Sequence, residues 1–404
     1  MATQPITYRL VLSGYYGYRN SGDEAVLQSI LLALEEQGKQ AGVRIEPIVL
    51  SIDPAWTSHM YGVRAVHRLR PLEVVAAIRK SDGLISGGGS LLQDATGWKT
   101  IPYYLAILKL AQWLGKPTFI YSQGIGPVRR RRFFGWIRHV FNRSAYLSVR
   151  DEESAGLLAM MGVKRNRVQV VPDPVMGMPL APTGNMQGTS GATERIRPIV
   201  GISVRYWNED HSELHKLAKV ASKLISEHQV DIRFLPFHLP SDERASRDII
   251  AAMDTTTGTS AVGTSVTSNE SSIGSTASGD NTTTARVTIA EDALHPQQML
   301  AEVSRCNLLI GMRLHSLIYA ASQSVPMVGI SYDPKIDQFL ARIGMKPAAS
   351  TSSFSVDEVL ETCLLLLNTR TEWQITRQPA IDQLKQQAQQ PAQQIIEQLR
   401  KGSS

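Results

Sequence analysis

Short runs of apolar and β-branched residues alternate with stretches of helical period from the start of the chain. Arg9–Ser13, Arg44–Leu50, Gly83–Ser86, Pro117–Tyr121, Tyr146–Val149 and Val168–Val171 read as strands. Between the first two, Ala25, Val26, Ser29, Ile30 and Ala33 recur at the 3.6-residue spacing of a helix laid on a sheet. Such strand–helix–strand alternation predicts a parallel sheet. The pattern lapses over 172–198, which is rich in Pro, Gly, Thr and Met, and then resumes. The second series has strands at Ile199–Val204, Asp231–Phe237, Arg286–Ile289, Asn307–Gly311 and Val325–Ile330, with helices at Leu214–Glu227, Pro296–Arg305 and Leu314–Gln323. The expectation is an α/β chain of two doubly wound domains facing one another, residues 1–180 and 199–370 joined by a linker over 181–198.

Two segments depart from this rhythm. Over 254–284, 21 of 31 residues are Ser, Thr or Gly, too few apolar groups to offset ordering entropy, so a disordered insertion in the second domain is expected. A Gln-rich helical tail within 371–404 carries Ile381, Leu384, Ile395 and Leu399 and is expected to pack on the back of a domain.

Composition narrows the classes. The chain has 404 residues, enough for two cores, and a formal net charge of +6, which favours anionic partners. Cys306 and Cys363 lie in apolar contexts without metal-ligand spacing, so no metal site or disulfide framework is expected and a reducing cytoplasm fits. The opening residues lack a basic segment followed by an apolar one, and the best apolar run, 101–114, is interrupted by Lys109 and Gln112, so neither export nor a membrane span is expected. Arg129–Arg132, Arg138 and Arg143 stand beside Phe133, Phe134 and Trp136, a pattern suited equally to a solvated face and to peripheral contact with an anionic membrane.

Ligands of open parallel sheets bind beyond the carboxyl ends of the strands. The first loop there, Gly14 to Glu24, has glycines for close approach and Asn20 and Asp23 for hydrogen bonding. It matches neither the dinucleotide fingerprint nor the P-loop, and Asp23 reads either as a helix cap, a role Ser21 could also fill, or as a sugar-binding or catalytic carboxylate. Gly87-Gly88-Gly89 and Gln123 to Pro127 follow two further strands, and three glycine loops on one edge suggest a large, flat ligand. Arg150 follows a strand and reads as a fork for a carboxylate or phosphate, or as an ion pair to Asp151 or Glu153. In the second series, Gly311-Met312-Arg313-Leu314-His315 turns from strand to helix. His315 thus stands at a positive helix end, as an anion donor, a proton-transfer group or a packed capping residue. Lys335, just after the next strand, lies at the same edge as an anion contact or a solvated lysine. His238 follows a strand too, with its role open.

These segments, with Pro172-Asp173-Pro174, Gly201–Arg205 and Tyr332–Lys335, together resemble the polysaccharide pyruvyltransferase family, and within it the bacterial branch that modifies cell-wall-linked polymers anchoring surface-layer proteins. The resemblance spans about residues 8 to 345 and implies two Rossmann-like domains arranged as in GT-B glycosyltransferases. It implies phosphoenolpyruvate as donor substrate, no cofactor, no metal and no nucleic acid, and a saccharide acceptor that is lipid-linked at the inner face of the cytoplasmic membrane. Residue by residue it implies Arg150, His315 and Lys335 at the donor; beside it, the residues themselves are read with Arg313 joining the donor side, Asn20, Asp23, Gly88 and Gly89 at the acceptor, and His315 and Asp23 in the chemistry. The other reading of the same architecture is a GT-B glycosyltransferase using a nucleotide sugar.

Overall fold

The computed structural model describes residues 5–94, 97, 99–181, 197–257 and 286–402. It divides into two compact units. The first comprises Met1–Ala181, Leu294–Gln298 and Arg377–Ser404, and the second Pro182–Ala293 and Met299–Thr376.

Among the described residues of the first unit, seven strands form one parallel sheet: β1 (Ile6–Tyr16), β2 (Val43–Ser51), β3 (Arg64–His67), β4 (Gly83–Gly87), β5 (Thr118–Gln123), β6 (Tyr146–Val149) and β7 (Gln169–Val170). Their order, β3-β2-β1-β4-β5-β6-β7, reverses direction at β1, the doubly wound switch. Leu12 of β1 pairs with Val49 on one side and Ile85 on the other. Central strands of a doubly wound sheet are covered on both faces, which is why all of β4 and β5 is buried, the polar Ser86, Thr118, Ser122 and Gln123 included.

The second unit repeats the plan with β8 (Ile199–Ser203), β9 (Asp231–Phe234), β10 (Val287–Ile289), β11 (Leu308–Gly311), β12 (Met327–Ser331) and β13 (Ala349–Ser350), in the order β10-β9-β8-β11-β12-β13. Ile310 of β11 lies between Ile202 and Val328. Both sheets are therefore Rossmann-like, as the periodicity predicts.

The expected strands all appear with ends shifted by a few residues, and β3 and β13 are additional. Of the expected linker, residues 182–196 lie outside the described residues. So do 258–284 of the expected insertion, while 254–257 complete a helix that begins at Ser241. The tail forms one helix, Arg370–Gly402, longer than expected. From Arg377 it groups with the first unit, where Ile381, Leu384, Ala392, Ile395 and Leu399 are buried and Gln389 donates to the Gly177 carbonyl at 3.1 Å. No helix among the described residues is long and apolar enough to cross a membrane.

Candidate active site

In the first unit, β1 runs out at Tyr16 into the loop that begins the Ser21–Ala41 helix. Asn20 has an extended backbone, and its Oδ1 accepts from the Gly22 N–H at 3.1 Å. The cap is thus Asn20, not Ser21 or Asp23. The residue preceding the helical φ/ψ run is the one whose side chain reaches back over the first turn, and Asp23 already lies inside that turn. The Asp23 carboxylate lies against the glycine loop after β4: a Cβ on Gly89 would come within 2.8 Å of its Oδ1. Gly88 and Gly89 both have φ of +64°, a left-handed conformation that side chains rarely adopt, and a Cβ on Gly88 would also strike Val26. Gly89 in turn accepts from the Gly124 N–H at 2.8 Å. Asn20, Asp23, Gly88 and Gly89 are thereby gathered with all three glycine loops at the carboxyl edge of one sheet.

Two features of this edge escape a sequence reading. Tyr15 and Tyr18, 40% and 39% exposed, stack with ring centroids 3.9 Å apart and planes 3° from parallel. Behind them Arg68 is buried, donating to the Gly14 carbonyl at 3.0 Å and to the Tyr104 hydroxyl at 3.2 Å, with its guanidinium over the Tyr103 ring at 4.4 Å. The second feature is Glu24. It is 1% exposed and accepts from the Gly17 N–H and the Tyr61 hydroxyl, each at 2.8 Å. Burial pushes its carboxyl up to about 7, against the opposing effect of those hydrogen bonds, and the neighbouring Asp23 charge adds to the rise.

A group that binds its proton more tightly when folded contributes stability below its unfolded pKa, and that contribution is lost as pH rises through the folded value. For Glu24 the window runs from 4.5 to about 7. Glu24→Gln, which carries no charge, is therefore expected to be more stable than wild type by about 3 kcal/mol above pH 7, with the advantage vanishing by about pH 4.5. Denaturant unfolding of both proteins across that range checks this; a pH-independent difference would show that the Glu24 carboxyl titrates alike in the folded and the unfolded chain.

Arg150 directly follows β6 and is 8% exposed. Its guanidinium lies 3.5 Å from Asp151 and 3.6 Å from Asp173 and donates to the Ser90 hydroxyl at 2.9 Å. A Cβ on Gly124 would come within 2.8 Å of its Nε, so Gly124 is needed for the loop to lie over this arginine. The ion pair anticipated with Asp151 is present, and Asp173, 23 residues away in the chain, joins it.

The second unit holds the other predicted residues. The segment after β11 places Arg313 as N-cap of the Leu314–Ser322 helix and His315 as its second residue, with no side-chain cap bond at that end. A Cβ on Gly311 would meet Ser316 Oγ and Leu317 at 2.7 Å, so the glycine lets this helix start tight against its strand. Arg313 forks onto Asp242, which has no exposed surface: Nε donates to Oδ2 at 3.0 Å and Nη2 to Oδ1. Asp242 also accepts from the His238 N–H at 2.9 Å. The imidazole of His238 is held below its ordinary value by burial, then by Arg313, with Arg205 adding to the effect and Asp242 opposing it.

Beyond β12, Asp333 caps the Pro334–Arg342 helix by accepting from the Lys335 N–H at 2.9 Å, which puts Lys335 in the first turn. Beyond β8, Arg205 donates to the Tyr332 hydroxyl at 2.9 Å and lies over the Trp207 and Tyr332 rings at 5.2 and 4.7 Å. The ends of β8, β9, β11 and β12 thus carry Arg205, His238, Arg313, His315 and Lys335 on one sheet edge. Two helices begin there, with their positive dipole ends. Such an edge suits a small, multiply charged anion. Among the described residues no three His, Cys, Asp or Glu side chains gather where they could hold a metal ion.

Residues 20–334 match the family profile for Polysaccharide pyruvyl transferase. The chain belongs to the polysaccharide pyruvyl transferase family. The matched span runs from the Asn20 cap to Pro334 and so takes in Asp23, Gly88, Gly89, Arg150, Arg313 and His315. The amylovoran biosynthesis protein AmsJ of Erwinia amylovora is 22% identical over 281 residues, 68% of this chain and 62% of that protein. The chain thus spans about three fifths of the length of the curated relative it matches. Similar solved structures include UDP-GlcNAc 2-epimerase from Neisseria meningitidis bound to UDP-GlcNAc, at 10% identity and a TM-score of 0.58, covering 98% of this chain and 100% of that one. Anabaena Alr3699/HepE in complex with UDP-glucose is 13% identical with a TM-score of 0.55, at the same coverage. These similarities show a GT-B-like fold of two Rossmann-like domains for this polysaccharide pyruvyl transferase family member.

Proposed function

We propose that this protein transfers the pyruvyl group of phosphoenolpyruvate to a saccharide as a ketal and releases phosphate. The cationic edge of the second sheet is the observation that carries the reading. Phosphoenolpyruvate bears a carboxylate and a phosphate on three carbons, and the residues at the ends of β8, β9, β11 and β12 supply charge and N–H donors for both. Family membership supports pyruvyl transfer. The AmsJ relative is by its name a biosynthesis protein for amylovoran, which supports a biosynthetic role for this chain.

In the proposed reaction the methylene carbon gains a proton and one sugar hydroxyl attacks the adjacent carbon, giving up its own proton. The bond from that carbon to the phosphate oxygen then breaks, and a second hydroxyl closes the ketal with loss of its proton. One acid and one base are required. His315 serves proton transfer or phosphate stabilisation at its helix N-terminus, with Arg313 and Lys335 on the donor's charges. Asp23 is the candidate base toward the acceptor, held with Asn20 beside Gly88 and Gly89. The stacked Tyr15 and Tyr18 supply an exposed aromatic surface of the kind on which a sugar ring rests. Arg150 is retained as a donor contact, and its pairing with Asp151 and Asp173 adds the positioning of the Ser90 and Gly124 loops. A lipid carrier on the acceptor belongs to the same proposal.

The test is phosphate release from phosphoenolpyruvate in the presence of candidate saccharides, with calorimetry of phosphoenolpyruvate and of a nucleotide sugar on the same protein. Binding of the nucleotide sugar without binding of phosphoenolpyruvate would overturn the proposal in favour of a glycosyltransferase. Lys335→Ala, which removes a charge that holds the donor in the ground state, is expected to raise the half-saturating phosphoenolpyruvate concentration by roughly tenfold or more, as loss of a charge-assisted contact worth 1.5–3 kcal/mol implies. Initial rates against donor concentration read this directly, and an unchanged half-saturation would remove Lys335 from the donor site.

A further inference from the structure

Between Asp94 and Asp151 the chain has no Asp or Glu, yet it carries ten Lys and Arg residues: Lys99, Lys109, Lys116, Arg129, Arg130, Arg131, Arg132, Arg138, Arg143 and Arg150. In a protein whose acidic and basic residues number 36 and 42, so long a stretch of one sign marks a surface rather than an average. The structure concentrates part of it. The Thr100–Trp113 helix buries Ile101, Tyr104, Leu105, Leu108 and Ala111, and turns Lys109 and Trp113 outward. The neighbouring Phe134–Phe141 helix buries Ile137, Val140 and Phe141, leaving Trp136 and His139 three residues apart outside.

The two outward faces are continuous. Lys109 Nζ meets His139 Nε2 at 2.8 Å, and Arg143 Nη1 meets His139 Nδ1 at 2.6 Å, so a cationic row crosses both helices. At its flanks stand two large aromatic side chains, Trp113 at 75% exposure and Trp136 at 59%. Exposed Arg129, Arg130, Arg131 and Arg132 lead into the second helix. The sequence expectation that Phe133 and Phe134 would join this face is corrected: Phe133 is buried and Phe134 half-buried, because the 3-10 turn Arg131–Phe133 points the first ring inward against the core. The aromatic members are the two tryptophans, and one of them comes from the other helix.

We propose that this surface docks the protein on an anionic lipid bilayer. Indole rings with an apolar body and one polar N–H prefer the headgroup level, and basic residues beside them are drawn to the negative surface potential of such a membrane. A nucleic acid would be gripped by the same charge, but two solvated tryptophans outside the cationic row favour a surface they can enter. The surface lies wholly within the first unit, and the proposal stands apart from pyruvyl transfer.

Flotation of the full-length protein with vesicles of phosphatidylcholine alone, and of phosphatidylcholine with 30% phosphatidylglycerol, tests it. The expected result is binding to the anionic vesicles, weakened by salt and absent from the neutral ones, with tryptophan emission quenched by brominated lipid. Each basic residue near such a surface strengthens binding by about fivefold, so Arg130→Ala/Arg131→Ala/Arg132→Ala should bind about 100-fold more weakly. Trp113→Ala/Trp136→Ala should lose the brominated-lipid quenching while its melting temperature holds. Failure of the wild type to float with anionic vesicles, or equal flotation with neutral ones, overturns the proposal. So does binding of an RNA oligonucleotide that the arginine variant loses while vesicle binding is unchanged.

Discussion

His315→Ala is expected to slow the chemical step of phosphate release by roughly 10²–10⁴-fold, the range for removal of a positioned acid or base, while the melting temperature holds. The residue is the second of the Leu314–Ser322 helix, whose N-terminal N–H groups have no side-chain cap. An anion arriving there meets the helix dipole and the imidazole together. The side chain is half-buried, and the helix is anchored by Leu317, Ile318 and Tyr319 rather than by His315, so the fold should survive its loss. The half-saturating donor concentration should move less than in Lys335→Ala, because a proton-transfer group acts in the transition state and a charge contact acts before it as well. Single-turnover phosphate release separates the two effects. Near-wild-type turnover in a folded His315→Ala protein would demote His315 to a packing residue of the helix start.

Asp242→Ala should destabilise the second unit by about 3–5 kcal/mol, the cost of removing one partner of a buried ion pair. Its carboxylate has no exposed surface and accepts from Arg313 and from the His238 N–H. Without it the Arg313 guanidinium keeps its charge in a largely enclosed place, and the loop after β9 loses a tie to the loop after β11. Arg313→Ala should cost a similar amount for the mirrored reason, leaving the carboxylate uncompensated. Because both single changes break the same pair, the double variant should be less destabilised than their sum, by an interaction energy of about 1–3 kcal/mol. Denaturant unfolding of the four proteins measures this cycle. Additive effects, each under about 1 kcal/mol, would mean that the pair contributes little and that Arg313 is held by other contacts.

The doubly wound plan was legible in the sequence because its central parallel strands are short runs rich in apolar residues and their crossover helices keep a 3.6-residue period. The loops that carry Asp23, Arg150, Arg313 and His315 could be placed as well, since each follows a strand at the carboxyl edge of its sheet. Two of the edge strands are different. Arg64–His67 and Ala349–Ser350 are short and only partly buried, so they leave no run of apolar residues to notice. With Arg64–His67 unseen, Arg68 just beyond it, and its place behind the Tyr15–Tyr18 stack, were invisible too.

What the sequence by itself determined is therefore the alternation, the loops and the family: local patterns, each written within a few neighbouring residues. Tertiary structure alone decided the pairings and the burials. Arg313 and Asp242 are 71 residues apart, Arg150 reaches Asp173 across 23, and Trp113 joins the Trp136 face only because two helices pack side by side. Glu24 looks like any acidic residue in a first helical turn until Tyr61 and the Gly17 backbone enclose it and burial lifts its carboxyl to about 7. The physical reason is the same in each case. Hydrophobic period is a property of adjacent positions, whereas desolvation and charge pairing depend on what the fold brings from elsewhere in the chain.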